Sequence, residues 1–105
     1  MKWYKPLYVG ESIKSVRFTQ FQIDYRKKCK NYYCITLSKT DHALLEIYES
    51  RFFRMPGFDP DGFLILGLAS NKKEAVDVVR NIIEDVYVHT HGFDIASYLN
   101  LDSQI

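Results

Sequence analysis

The chain has 105 residues, 47% of them hydrophobic, which is enough for one domain with a core of ordinary size and too few for two domains. Its 14 Lys and Arg residues nearly balance its 13 Asp and Glu residues, so no overall charge draws it to nucleic acid or anionic lipid. No apolar run approaches the ~18 residues of a membrane span, and the N-terminus lacks the apolar core of a signal peptide. We therefore expect a soluble, cytoplasmic protein.

The first predicted elements are a strand and a long helix. Tyr4 to Val9 is typical of a short strand that Pro6 restricts to an edge of the sheet or to the strand entrance. From Ser12 to Lys30 apolar residues recur near helical spacing, which predicts a helix. Its apolar stripe consists of Ile13, Val16, Phe21, Tyr25 and Cys29. Val16 to Tyr25 also alternates with period two, so a strand there is the alternative.

The middle of the chain predicts a central strand, followed by an element that fits either a helix or a strand. Tyr32 to Leu37 is β-branched and aromatic, and Cys34 within it is expected to be a buried, reduced thiol. After a turn over 38–41, a short helix with Leu44, Leu45 and Tyr48 on its inner face is preferred. A hairpin in which Ala43 to Tyr48 returns as a strand is the alternative.

The connection from Arg51 to Gly62 is irregular. Its last four residues, 59–62, have the Asp, Pro and Gly positions that a type I turn favours. The preceding segment, Arg51 to Met55, is interpreted as an extended edge beside the next strand.

The stretch from Phe63 to Thr90 carries the clearest pattern in the chain. Phe63 to Ala69 is a continuous apolar run, typical of a strand covered on both faces. Asn71 is the predicted N-cap of a helix to Thr90, with Glu74 completing a capping box. The predicted buried stripe of this helix consists of Ala75, Val76, Val79, Ile82, Ile83, Val86 and Thr90.

The C-terminal part is predicted from its helix-ending residues. Gly92 is expected in the left-handed position that ends the long helix. Asp94 opens a short terminal helix, and 101–105 is expected to fray. Together these patterns predict a single two-layer α/β domain with a mixed sheet of three or four strands, packed by two long helices and a short C-terminal one.

Four pieces of the sequence resemble a known group. They are Leu7 to Glu11, Ile35 to Leu37, Gly67 to Ala69 with Glu74-Ala75, and Gly92 to Ile95 with Tyr98-Leu99. In these motifs the chain resembles a group of short uncharacterised proteins from clostridia and related Firmicutes. The resemblance implies a bacterial, cytoplasmic, single-domain protein, and it brings no activity, cofactor or catalytic residue with it.

Two sets of residues are candidates for small-ligand or metal chemistry. Small side chains and nearby cations at the start of the long helix suit an anion, and the set is Ser70, Asn71, Lys72 and Lys73. His89 and His91 have two-residue spacing, which places them about 200° apart on a helix and so argues against a shared metal ion. No nucleophile motif or nucleotide fingerprint is present, and we expect neither a metal nor another cofactor.

Two further segments are candidate interaction surfaces. One is the basic run Arg26 to Lys30, interleaved with tyrosines; the near-zero net charge favours a solvated helix end over nucleic acid binding. The other is rich in the residue types of interface cores, and consists of Arg51, Phe52, Phe53, Arg54, Met55 and Phe58.

The sequence therefore favours a non-catalytic protein-interaction or regulatory module, with a homodimer as the economical form. The alternative is a small binding protein or enzyme that takes an anionic ligand at Ser70 to Lys73.

Overall fold

The computed structural model describes residues 2–25, 31–37, 45–57, 63–92 and 95–98. These ranges form an α/β domain, as predicted. The strands are β1 (Lys2–Val9), β2 (Tyr33–Leu37), β3 (Leu45–Glu49) and β4 (Leu64–Ala69). The helices are α1 (Val16–Tyr25), α2 (Lys72–Thr90) and α3 (Ile95–Tyr98), and a 3₁₀ turn over Ser50–Arg54 follows β3 directly. Among the described helices, none is long and apolar enough to cross a membrane.

The described strands form one mixed sheet in the order β1-β4-β2-β3. β1 runs parallel to β4, whereas β2 is antiparallel to both β4 and β3. The predicted positions of the first strand at an edge and of β2 in the centre are confirmed. β4 is buried along its whole length, as its continuous apolar run predicted.

The hydrophobic core lies on both faces of this sheet. Because successive strand residues point to opposite faces, Ile35 and Leu64 contact α2 while Cys34 and Ile65 face the other way. That second cluster includes Ile23 of α1 and Phe53 of the 3₁₀ turn, so the structure differs from the predicted two-layer arrangement. Cys34 is fully buried, as expected.

Helix α1 is shorter than predicted and buries a different face. It begins after Ser15, whose Oγ accepts a hydrogen bond from Phe18 N–H at 3.2 Å, and not at Ser12. Thr19 and Ile23 are buried, whereas Phe21, predicted on the inner stripe, is 48% exposed. The alternative of a strand over Val16 to Tyr25 is not adopted.

The helix predicted around Leu44, Leu45 and Tyr48 is wrong. Leu45–Glu49 is a strand that pairs with β2 in unbroken antiparallel register. The hairpin alternative was therefore the better interpretation, because pairing with β2 satisfies backbone groups that a five-residue pattern alone cannot assign. The extended edge predicted for Arg51 to Met55 is also wrong, since Ser50–Arg54 forms the 3₁₀ turn.

Helix α2 has the predicted start and a slightly rotated buried face. Val78 is buried in place of the predicted Val76, which is 45% exposed. The left-handed position at its end falls on His91, with φ 57°, and not on Gly92. His91 N–H donates to Tyr87 O at 2.7 Å, which ends the helix.

Several predictions lie outside the described residues. They concern the turns at 38–41 and 59–62, Phe58, Cys29, the basic residues 26–30, Asp94 and the tail 101–105.

Candidate functional site

The start of α2 is fixed by the predicted N-cap. Asn71 is extended, with φ −150° and ψ 169°, and its Oδ1 accepts a hydrogen bond from Glu74 N–H at 2.8 Å. This contact satisfies one of the helix's first backbone donors and confirms Asn71 as the cap.

The Glu74 carboxylate makes contacts that a simple capping box does not include. Its Oε1 accepts hydrogen bonds from Ser70 N–H at 3.1 Å and from the Ser12 hydroxyl at 2.8 Å, and its Oε2 accepts from Ser12 N–H at 3.3 Å. The hydroxyls of Ser12 and Ser70 also contact each other. We call these three residues the polar junction, because they join the β1–α1 loop to the start of α2.

The polar junction holds Glu74 as an anion. Burial of the carboxyl acts to raise its pKa, but the hydrogen bonds from Ser12 and Ser70 outweigh burial, so the pKa of Glu74 lies below its usual value. A carboxylate stabilised in this way is a weak general base. The arrangement therefore suits a structural link better than proton transfer.

Gly10 permits this close approach. It ends β1, and its N–H donates to Leu68 O at 2.8 Å. A Cβ at this position would overlap the Glu74 carboxylate. A side chain here would therefore require the Glu74 carboxylate to move.

The predicted anion-binding residues come together at this place. Ser70 and Asn71 precede the helix, and Lys72 and Lys73 are exposed in its first turn. Since Glu74 already accepts the Ser70 N–H, an anion that binds this donor would have to displace the protein's own carboxylate.

Two clefts flank the polar junction and differ in charge. One, of about 280 Å³, is lined by three carboxylate side chains, Glu11, Glu74 and Asp77, and by one cation, Lys73. The other, of about 230 Å³, is lined by one cation, by hydroxyl and apolar side chains, and by no carboxylate; its residues are Ser12, Ile13, Lys14, Ser15, Phe18, Thr19, Tyr32 and Ser70. Only the second cleft has a lining that suits an anionic ligand.

The 3₁₀ turn after β3 is tied to the start of β2. Buried Ser50 donates its N–H to Tyr32 O at 2.7 Å, and its Oγ accepts from Tyr32 N–H at 2.8 Å. Asn31 Oδ1 accepts from Arg51 N–H at 3.0 Å. These bonds fix the direction in which the chain leaves β3.

The predicted interaction residues divide between core and surface. Phe53 is buried against Tyr48 and Phe63, with ring centroids 6.2 and 5.7 Å away, so it belongs to the core. Met55 is 49% exposed, and Phe52 is partly buried beneath the Arg51 guanidinium, which lies 5.2 Å from its ring centroid. The Arg54 side chain and Phe58 lie outside the described part.

β3 is a regular edge strand. All five of its residues pair with β2, and within the described ranges no strand pairs with its outer side. Ile47, at the centre of the strand, is 38% exposed. Sequence reasoning missed this edge because it favoured a helix; the strand alternative for Ala43 to Tyr48 was the available signal.

The histidine pair does not assemble a metal site. His89 Nδ1 lies 2.7 Å from Asp85 O and 3.1 Å from the Tyr98 hydroxyl, and its ring stacks on Tyr98. In the part of the chain that the structure describes, no group of three metal-ligating side chains occurs.

Comparisons with known proteins give no match: no protein-family model, no curated protein and no solved structure is similar to the chain.

Proposed function

We propose that the chain is a non-catalytic protein-interaction module that associates with a second copy of itself through β3 and the 3₁₀ turn. The observation that carries this proposal is the regular outer edge of β3. An edge strand presents unpaired backbone donors and acceptors, which another strand can satisfy.

β3 lacks several of the features that usually prevent such pairing, although two of its five residues, Glu46 and Glu49, are charged. Its sequence, Leu45–Glu49, contains no proline and no lysine, and its register with β2 has no bulge. Natural proteins place these features on edges that must stay single. Their absence from this strand supports association at the edge.

The residues of β3 are compatible with an antiparallel partner of the same sequence. If two copies pair about Ile47, the two Ile47 side chains face each other, Glu46 faces Tyr48, and Leu45 faces Glu49. No carboxylate then lies directly opposite another carboxylate. Apolar and mixed cross-strand pairs of this kind stabilise a sheet.

Exposed apolar side chains occur next to the 3₁₀ turn that follows β3 and on one side of α2. Met55 follows the 3₁₀ turn, and on α2 the exposed Val76 and Tyr87 are about 180° from Asp85 on the helix. Asp85 accepts a hydrogen bond from Tyr8 of β1 at 2.9 Å, so Val76 and Tyr87 lie on the side of α2 that faces away from β1. A second copy would cover part of this surface.

The resemblance noted in the sequence adds a setting to this proposal, that of a bacterial, cytoplasmic, single-domain protein. The alternative function, an anionic-ligand binder at Ser70 to Lys73, has less support because the Glu74 carboxylate occupies the polar junction.

Solution mass tests the proposal. We expect the wild-type chain to have the mass of a dimer, measured by light scattering after size-exclusion chromatography. Ile47→Lys should give a folded monomer, because two ammonium groups would then face each other at the centre of the paired edges.

The matched control is Val88→Lys, which adds the same charge at a position on α2 that is 66% exposed. It should remain a dimer, and circular dichroism should show that both variants are folded. A wild type that stays monomeric at high concentration, or a dimeric Ile47→Lys, would contradict the proposal.

A further inference from the structure

The outward face of α1 presents two phenyl rings to solvent. Phe18 is 54% exposed and Phe21 48% exposed; helical spacing places Phe21 about 160° from the buried Thr19 and Ile23, and Phe18 about 100° and 140° from them. Since the rings are three residues apart, they lie side by side on the helix surface. The sequence analysis had expected Phe21 in the core, so this pair is a feature that only the structure reveals.

Positive charge accompanies these rings. Lys14 and Arg17 are both exposed, and Arg17 lies one helical turn before Phe21. Both cations lie on α1 or directly before it. The described part of this face therefore offers two positive charges to an anionic partner.

The carboxylate-free cleft opens beside Phe18. Its lining joins the Phe18 and Tyr32 side chains to hydroxyl groups of Ser12 and Ser15, with Lys14 among its residues. A planar, polar group such as a nucleobase can both stack on an aromatic side chain and hydrogen-bond to hydroxyl oxygens. An inserted lipid chain would use the rings but not the hydroxyls.

From these observations we infer that the outward face of α1, with the adjoining cleft, binds single-stranded nucleic acid. The cations neutralise phosphates, and Phe18 and Phe21 stack on bases, which is the general mode of sequence-tolerant single-strand binding. This inference does not depend on the proposed dimer, because neither Phe18 nor Phe21 belongs to β3 or to the 3₁₀ turn, and β3 lies at the opposite edge of the described sheet from β1.

Fluorescence anisotropy of a labelled oligothymidylate tests the inference with the full chain. We expect binding that weakens as salt is raised. Replacing both rings, in Phe18→Leu/Phe21→Leu, should raise the Kd about tenfold or more, because leucine keeps apolar surface but cannot stack on a base. Arg17→Ala should lower the slope of log affinity against log salt by about 0.7.

Matched controls are available on α2. Val88→Ala removes an apolar side chain that is 66% exposed, and Arg80→Ala removes an exposed cation whose contact with Asp77 is 4.0 Å long; neither should change binding. Phosphatidylcholine–phosphatidylserine vesicles provide the competing surface. Lack of salt-dependent oligonucleotide binding would overturn the inference, as would vesicle binding that survives the double leucine change while oligonucleotide binding is absent.

Discussion

The two edges of the sheet are built in opposite ways. β1 contains Pro6, and its register with β4 is interrupted between Trp3 and Tyr8, where it is longer than the stretch of β4 that it faces. β3 pairs with β2 residue for residue, with no interruption. Proline and irregular pairing hinder the addition of another strand, whereas a regular edge permits it.

The β1 edge is also held by contacts from other elements. The Tyr8 hydroxyl donates to Asp85 of α2, and Gly10, at the end of the strand, lies against the Glu74 carboxylate. Burial and the hydrogen bond to Asp85 both raise the pKa of Tyr8, so its hydroxyl stays protonated and able to donate. The contacts from α2 hold the end of β1, and the comparison supports the proposal that β3 is the edge that accepts a partner.

The largest loss of stability is expected from Gly10→Ala, a substitution at the end of β1. The added methyl group would displace the Glu74 carboxylate and leave Ser70 N–H without that acceptor, which should lower the free energy of unfolding by about 1–3 kcal/mol. Gly92→Ala is the control, because a Cβ there comes no closer than 3.9 Å to the neighbours considered. Equal denaturant midpoints for the two variants would contradict this account of Gly10.

A smaller loss is expected from Asn71→Ala. It removes the oxygen that accepts Glu74 N–H, and N-cap removal typically lowers stability by about 1 kcal/mol. Asn71→Asp should retain most of the stability, since aspartate caps equally well. Neither variant should change the solution mass, because the cap lies away from β3. If the denaturant midpoint of Asn71→Ala equals that of the wild type, the Asn71 cap does not stabilise the protein.

The smallest expected effect is the contribution of Glu74 to the pH dependence of stability. Because the pKa of Glu74 is lowered in the folded protein, its contribution to stability is present above its unfolded pKa, about 4.3, and is lost as pH falls through the lower folded value. Urea unfolding from about pH 5 to about pH 3 should therefore show a steeper loss for the wild type than for Glu74→Gln. Parallel curves would mean that the polar junction does not stabilise the charged form.

The sequence predicted the elements whose pattern is long or bounded by clear signals. β4 follows from an apolar run, and the start of α2 follows from Asn71 and Glu74. The segment that forms β3 was predicted as a helix because five residues can fit both the helical period of 3.6 and the strand period of two. Its pairing with β2 shows that it is a strand. The burial of Val78 where Val76 was predicted has a similar cause. Both positions fit a 3.6-residue period, and the way α2 packs on the sheet determines which of the two is buried.

Less of the candidate sites than of the fold could be predicted from the sequence. The contact of Ser12 with Glu74 joins residues 62 positions apart, so no local motif reveals it. Among the predicted interaction residues, Met55 is exposed, whereas Phe53 is buried by aromatic neighbours that come from other parts of the chain. Which rings of α1 face solvent depends equally on how the helix lies on the sheet.

Amide hydrogen exchange, measured residue by residue at low and high protein concentration, tests the difference between the two edges most directly. If β3 pairs with a second copy, alternate amides of Leu45–Glu49 should exchange more slowly as concentration rises, while those of Lys2–Val9 stay unchanged. Exchange in β3 that is independent of concentration, or protection that develops in β1 instead, would contradict the account.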